Sequence, residues 1–181
     1  MRTVLKCIIA GDGAVGKSTI AKRLCGKLTD DINIEMTKGL DIEKFEIEKN
    51  DNEKIVIQLW DMGGQEQFRV FQKDFFEGAH LVIFVYSLTW FHSFLHLNDW
   101  IRLISERKPP LKGFVIANKI DLPNRAIASK EGEDLAFNLG YDYYEVSSLT
   151  GMGFDEFKEG LVSSILFMMD NMHRISEKII S

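Results

Sequence analysis

Apolar runs and segments of helical periodicity alternate along the chain. Near-continuous or alternating apolar positions predict strands at residues 4–10, 40–49, 54–60, 80–86, 113–117 and 141–146. Apolar positions at helical spacing predict helices at residues 18–28, 66–77, 90–107, 129–139 and 153–180. Within the second strand the apolar positions change phase between residues 42 and 45, which predicts a bulge near Glu43.

The order of these elements predicts the fold class. Strands that alternate with helices are typical of an α/β domain with a doubly wound sheet and helices on both faces. The short polar turn at residues 49–53 makes the second and third strands antiparallel, whereas strands joined through helices are expected to run parallel. The expected architecture is a six-stranded, mostly parallel sheet with one antiparallel edge strand.

The last predicted helix carries a long apolar stripe. The positions predicted to face the core are Phe154, Phe157, Leu161, Ile165 and Met168. The stripe continues with Met172, Ile175 and Ile179. These three residues either cap the lower edge of the domain or form an exposed strip. An exposed strip would suit a partner helix or self-association, because residues 170–181 are not polybasic.

Composition is that of an ordinary globular chain. Of the 181 residues 45% are hydrophobic and 27% charged, which predicts one domain over residues 1–181. The net charge of -5 argues against nucleic acid or an anionic membrane as the main partner. Cys7 and Cys25 are expected to be reduced. The sequence has no signal peptide, long apolar span or lipidation motif, so a cytoplasmic protein is expected.

Residues 11–18 match the pattern of a phosphate-binding loop, G-x-x-x-x-G-K-[ST], between a predicted strand and a predicted helix. The glycines allow backbone N–H groups to face phosphate oxygens, and the helix start adds its positive dipole end. Lys17 would reach the β- and γ-phosphates, and the Ser18 hydroxyl would bind Mg²⁺. A glycine-rich turn without a ligand is the alternative, which the full spacing and the flanking elements disfavour. The loop alone does not separate ATPases, kinases and GTPases.

Two further motifs narrow the chemistry. Asp61 ends an apolar strand, where it would hold Mg²⁺ through water or simply start a turn. Asn118-Lys119-Ile120-Asp121 follows another strand. The Asp121 carboxylate could accept hydrogen bonds from guanine N1–H and the N2 amino group, a pair that adenine lacks. The Lys119 stem could cover the base, and Asn118 could tie this loop to the phosphate loop. An ordinary turn at a strand end is the alternative, but ligands bind such sheets at this edge.

Taken together, these motifs resemble those of a Ras-superfamily small GTPase over essentially the whole chain. The matching segments are residues 11–18, 37–41, 60–66, 118–122 and 147–151. Residues 37–41, 68–69 and 78–80 resemble Rab proteins, whereas Gly63-Gly64-Gln65 resembles the Arf pattern. A divergent Rab- or Arf-like member, prokaryotic members included, fits these mixed features.

The resemblance implies a P-loop NTPase fold, the small G domain, that binds GTP or GDP with Mg²⁺ as a molecular switch. It implies that the nucleotide contacts Asp12, Gly13, Ala14, Val15, Gly16, Lys17, Ser18, Thr19, Thr37, Gly64, Asn118, Lys119, Asp121, Ser147, Ser148 and Leu149. Mg²⁺ would be bound by Ser18, Thr37 and, through water, Asp61. In catalysis Gln65 would orient the attacking water, and Lys17, Thr37 and the Gly64 N–H would contact the γ-phosphate. The Ser148 N–H would meet the guanine carbonyl.

The resemblance also implies partners and leaves two rival functions open. Effectors, exchange factors and activating proteins would bind about residues 30–45 and 61–77. Residues 25–40 contain no aromatic to stack on guanine, and Leu149 stands where the family usually has lysine. Residues 28–41 contain no arginine that could assist hydrolysis, so slow turnover is expected. The rivals are a nucleotide-bound scaffold with little or no turnover and an ATP-dependent P-loop enzyme.

Overall fold

The computed structural model describes the backbone of residues 2–28, 39–50, 52–63, 76–105 and 111–180. Its description of side chains leaves out residues 105, 173 and 175–180 within these ranges. The expectations for Thr37, Gly64 and Gln65, and for almost all of the helix at 66–77, lie outside the described residues.

The strands form one six-stranded sheet in the order β2-β3-β1-β4-β5-β6. The strands are β1 (Arg2–Ala10), β2 (Leu40–Asn50), β3 (Glu53–Met62), β4 (Leu81–Ser87), β5 (Lys112–Asn118) and β6 (Asp142–Val146). The edge strand β2 runs antiparallel to β3, and the other paired strands run parallel. The predicted fold class is thus confirmed.

Helices cover both faces of the sheet. The described helices are α1 (Lys17–Leu24), α2 (Phe91–Leu95), α3 (Leu97–Ser105), α4 (Ser129–Leu139) and α5 (Phe154–Ile180). Helices α1 and α5 pack in the core of one face, while α3 and α4 pack in the core of the other. Alternate residues of β1 pack into the two cores, because successive side chains of a strand point to opposite faces of the sheet. Among the described residues, none of the helices has the combination of length and apolar character that a membrane-spanning segment needs.

The bulge predicted near Glu43 is wrong. The β2–β3 register runs without a shift from Leu40 opposite Met62 to Glu48 opposite Lys54, and the irregularity lies between Glu48 and Asn50. The apolar phase changes because β2 carries apolar side chains on both of its faces. Its middle positions enter the core of the α1/α5 face, whereas Leu40 is half-buried against the opposite core.

The helix predicted over residues 90–107 is divided in two. Helix α2 ends at Leu95, and α3 begins at Leu97. The Asp99 N–H donates to the His96 carbonyl at 3.0 Å, a bond over three residues that tightens the backbone at the junction. His96 itself contacts the phosphate loop, as described below. Periodicity alone could not show this break, since the apolar positions continue in phase across it.

The core-facing stripe of α5 agrees with the prediction except at its end. Phe154, Phe157, Leu161 and Ile165 are buried, but the next fully buried residue is Met169 rather than Met168, which is half-buried. Met169 lies four residues after Ile165, slightly more than one helical turn, so the apolar face turns slightly around the helix axis. Beyond it, Asp170 pairs with Lys49 of the β2 end at 2.8 Å.

The apolar residues at the end of α5 lead to a testable prediction. Met172 is 46% exposed, and the side chains of Ile175 and Ile179 lie outside the described set. We expect Ile175→Asp with Ile179→Asp to abolish self-association or another protein contact while changing the free energy of unfolding by about 0.5 kcal/mol or less. Light scattering and thermal melting would measure the two effects. Ile165→Asp, within the core, is the destabilising control, and a similar loss of melting temperature in the double variant would contradict the prediction.

Candidate functional site

The predicted phosphate loop lies between the end of β1 and the start of α1, at the carboxyl edge of the parallel strands. Gly11 and Gly16 have positive φ angles of 144° and 103°. A Cβ on Gly11 would lie 2.1 Å from the Val85 carbonyl oxygen, and one on Gly16 would lie 2.1 Å from Asn118 Nδ2. Both positions therefore require glycine, because the loop passes directly against β4 and Asn118.

Lys17 is held inside this loop. It is buried, and its Nζ donates to the Asp12 carbonyl oxygen at 2.7 Å. Burial lowers the pKa of Lys17 to about 8, although the carboxylates of Asp61 and Asp12 act in the opposite direction. A buried ammonium in a glycine-rich loop at the start of a helix favours the binding of an anion.

Ser18 and Asp61 bring two oxygen groups together beside Lys17. The Ser18 hydroxyl donates to Asp61 Oδ2 at 2.5 Å, and Asp61 is buried at the end of β3. Hydroxyl and carboxylate oxygens are the donors that Mg²⁺ prefers. The pair therefore fits the metal that the sequence predicts, with Thr37 outside the described residues.

The Asp12 side chain is bound by residues that the sequence analysis did not identify. Its Oδ2 lies 2.5 Å from His96 Nδ1, and its Oδ1 accepts a bond from Trp100 Nε1 at 3.4 Å. Asp12 is buried, so its carboxylate needs such partners. The α2–α3 junction thus holds the second residue of the phosphate loop. No sequence motif marks this contact, which joins residues far apart in the chain.

Asn118 contacts both the phosphate loop and the loop that follows β6, and the second of these contacts was not predicted. Its Nδ2 donates to the Val15 carbonyl oxygen at 2.8 Å and to Ser148 Oγ at 3.0 Å. Its Oδ1 accepts the Ser148 N–H at 2.9 Å, and Asn118 is 1% exposed. The Ser148 N–H, which the resemblance assigns to the guanine carbonyl, is thus directed at Asn118, and a base carbonyl would share or replace that acceptor.

The remaining residues of the predicted guanine site lie in the loops that follow β5 and β6. Lys119 is half-buried with a φ of 70°. Burial lowers the pKa of its ammonium group, although the negative charge of Asp121 raises it in part. The Ile120 N–H donates to the Val146 carbonyl at 3.2 Å, which fixes this loop to the end of β6. Ser147 is buried, and its hydroxyl accepts the Thr150 N–H at 2.9 Å. Leu149 is 47% exposed, so it is available beside the site but is not packed in the core.

Of the four catalytic residues that the resemblance implies, Lys17 is placed in the phosphate loop, as described above. Thr37, Gly64 and Gln65 lie outside the described residues. The described residues next to them are nevertheless joined, because the Gly63 N–H donates to the Gly39 carbonyl at 2.7 Å. This bond joins the residue that precedes β2 to the residue that follows β3.

Comparison with known proteins agrees with this site. Residues 6–167 match the family model described as Ras family. The chain is 33% identical to Ras-related protein Rab-8B of Bos taurus over 155 residues, covering 84% of this chain and 74% of that protein. It is 30% identical to GTP-binding protein yptV2 of Volvox carteri over 178 residues, covering 94% of this chain and 79% of that protein.

A longer relative matches only in part. The Ras and EF-hand domain-containing protein homolog of Caenorhabditis briggsae is 31% identical over 171 residues, which cover 91% of this chain but only 26% of that protein. These comparisons favour the Rab side of the mixed subfamily features, and they give a prokaryotic origin no support. The family model spans most of the chain, and the alignment with Rab-8B covers most of both proteins. The chain therefore belongs to the Ras family of small GTP-binding proteins.

Proposed function

We propose that the protein is a guanine-nucleotide switch that binds GTP with Mg²⁺ and hydrolyses it slowly. The observation that carries the proposal is that the Lys17–Ser18–Asp61 cluster and the loop that begins at Asn118 lie at one edge of the sheet. Asn118 bonds there to the phosphate loop and to the loop that follows β6. Ligands of doubly wound sheets bind at this edge. Family membership supports the same class of ligand.

The described residues divide into a phosphate end and a base end. At the phosphate end, the loop N–H groups and Lys17 would bind the phosphates. Mg²⁺ would be held by Ser18, by Asp61 through water and by Thr37, which lies outside the described residues, and it would supply positive charge against the phosphates. At the base end, Asp121 accepts the two guanine donors while the stem of Lys119 covers a face of the ring.

The switch itself would reside in the segment that precedes Gly39, with Thr37, and in the segment that follows Gly63, with Gln65. Thr37 and the Gly64 N–H would contact the γ-phosphate, so its loss would release both segments together. Effectors, exchange factors and activating proteins would bind to about residues 30–45 and 61–77. Because residues 28–41 contain no arginine, an activating protein would supply one in trans, an addition worth about 10³- to 10⁵-fold in rate in related enzymes.

Gln65→Leu tests the hydrolytic part of the proposal. We expect it to slow single-turnover GTP hydrolysis by about tenfold or more, because leucine cannot orient the attacking water, while GTP binding is unchanged. Gln67→Leu is the matched control and should hydrolyse GTP at the wild-type rate. Equal rates for wild type and Gln65→Leu would remove Gln65 from the mechanism. Stable GTP binding with no turnover in the wild type would instead favour the scaffold.

A further inference from the structure

Arg23, in the last turn of α1, binds two consecutive carbonyl groups of the loop that follows β6. Its Nε donates to the Ser148 carbonyl at 2.6 Å, and its Nη2 donates to the Leu149 carbonyl at 2.5 Å. Its guanidinium also lies 5.6 Å from the ring centre of buried Phe154. The guanidinium fork thus reaches from the phosphate-binding helix to the base-binding loop.

The contact completes the support of this loop from two sides. On the N–H side, Asn118 accepts the Ser148 N–H. On the carbonyl side, Arg23 takes the oxygens of Ser148 and Leu149. Hydrogen bonds from a charged donor are stronger than neutral ones, and the planar fork restricts both carbonyls at once. A loop held in this way keeps its N–H groups in a fixed position before a base arrives.

The phosphate end does not depend on this arginine. Lys17 and Ser18 stand in the first turn of the same helix and are held by Asp12 and Asp61. Loss of the Arg23 fork would therefore loosen the base loop while leaving the phosphate contacts in place.

We propose that Arg23 is a positioning residue for guanine, which sets how long the nucleotide stays bound by holding the carbonyl side of residues 148–149. The inference rests on the proposed function, since it assigns a role within the same nucleotide site. Arg23 acts through the loop and does not itself touch the nucleotide. It links the helix that starts at the phosphates to the loop that contacts the base.

The test compares release of a fluorescent GDP analogue from four proteins: wild type, Arg23→Met, Arg23→Lys and Lys22→Met. Methionine keeps an apolar stem over Phe154 but has no donor, and lysine keeps the charge without the fork. Lys22 is exposed in the same helical turn, so Lys22→Met is the matched control for loss of a cation there. We expect release to be about tenfold faster in Arg23→Met, intermediate in Arg23→Lys and unchanged in Lys22→Met. The single-turnover rate of GTP hydrolysis should stay at the wild-type value in all three variants.

The outcomes separate this inference from the proposed function. Equal release from Arg23→Met and Lys22→Met would overturn the inference alone. Faster release accompanied by an equal fall in the hydrolysis rate would also overturn it, because the whole site would then be disturbed. A wild-type protein that binds no GDP analogue would refute the proposed function, and the inference with it.

Discussion

Replacing Asn118 with alanine is expected to weaken GDP and GTP binding by about a hundredfold or more and to lower the free energy of unfolding by about 2–4 kcal/mol. Asn118 is buried and bonds to the Val15 carbonyl, the Ser148 hydroxyl and the Ser148 N–H. Alanine would leave the Ser148 N–H and the Val15 carbonyl without the hydrogen bonds that Asn118 makes to them. Binding falls further because the phosphate loop and the base loop lose their common link.

Equilibrium urea unfolding and titration with a fluorescent GDP analogue would measure the two effects. Asn98→Ala is the matched control, because Asn98 is exposed on α3 and its amide donates to the nearby Leu95 carbonyl at 3.2 Å, in a contact of the helix surface. The control should change stability by about 0.5 kcal/mol or less. If Asn118→Ala bound GDP as tightly as Asn98→Ala, the link between the two loops would have no role in nucleotide binding.

Replacing Asp121 with asparagine is expected to change which base is bound rather than how the protein folds. A carboxylate accepts from both guanine donors, whereas a carboxamide offers one acceptor and one donor. GTP should bind about a hundredfold more weakly, and xanthosine triphosphate, which has a carbonyl in place of the amino group, should bind more tightly than to the wild type. Competition against the fluorescent GDP analogue gives both affinities.

Asp134→Asn is the control for this exchange. Asp134 lies on the exposed side of α4, where it pairs with Lys130 at 2.6 Å. Both variants should keep nearly the wild-type melting temperature, since Asp121 is only partly buried. A wild-type preference for GTP that survived in Asp121→Asn would show that base selection lies elsewhere in the chain.

The periodic parts of the fold could be predicted from sequence because burial on one or both faces leaves a direct trace in the residue pattern. The apolar runs of β1 and β4 and the stripe of α5 are examples, as is Gly140, which ends α4 with a φ of 68°. The carboxyl-edge position of the nucleotide motifs followed from the parallel sheet. The errors arose where both faces of a strand are apolar, as in β2, or where a stripe shifts by one residue, as at Met169.

The parts that escaped prediction depend on contacts between distant residues. The division of α2 from α3 accompanies the bond of His96 to Asp12, and the role of Arg23 becomes visible only when α1 meets the loop after β6. Neither residue lies in a recognisable motif, and helical periodicity runs through both positions. Such contacts require the folded chain, because the sequence gives the partners no common spacing.

Equilibrium competition of GTP and ATP for the wild-type protein in the presence of Mg²⁺ tests the central claim most directly. The claim is that Asp121 and the loops joined by Asn118 form a site for guanine nucleotides. We expect GTP to bind at least about a thousandfold more tightly than ATP, because adenine cannot satisfy the Asp121 carboxylate. Equal binding of ATP and GTP would contradict the claim, and so would the absence of binding by either nucleotide.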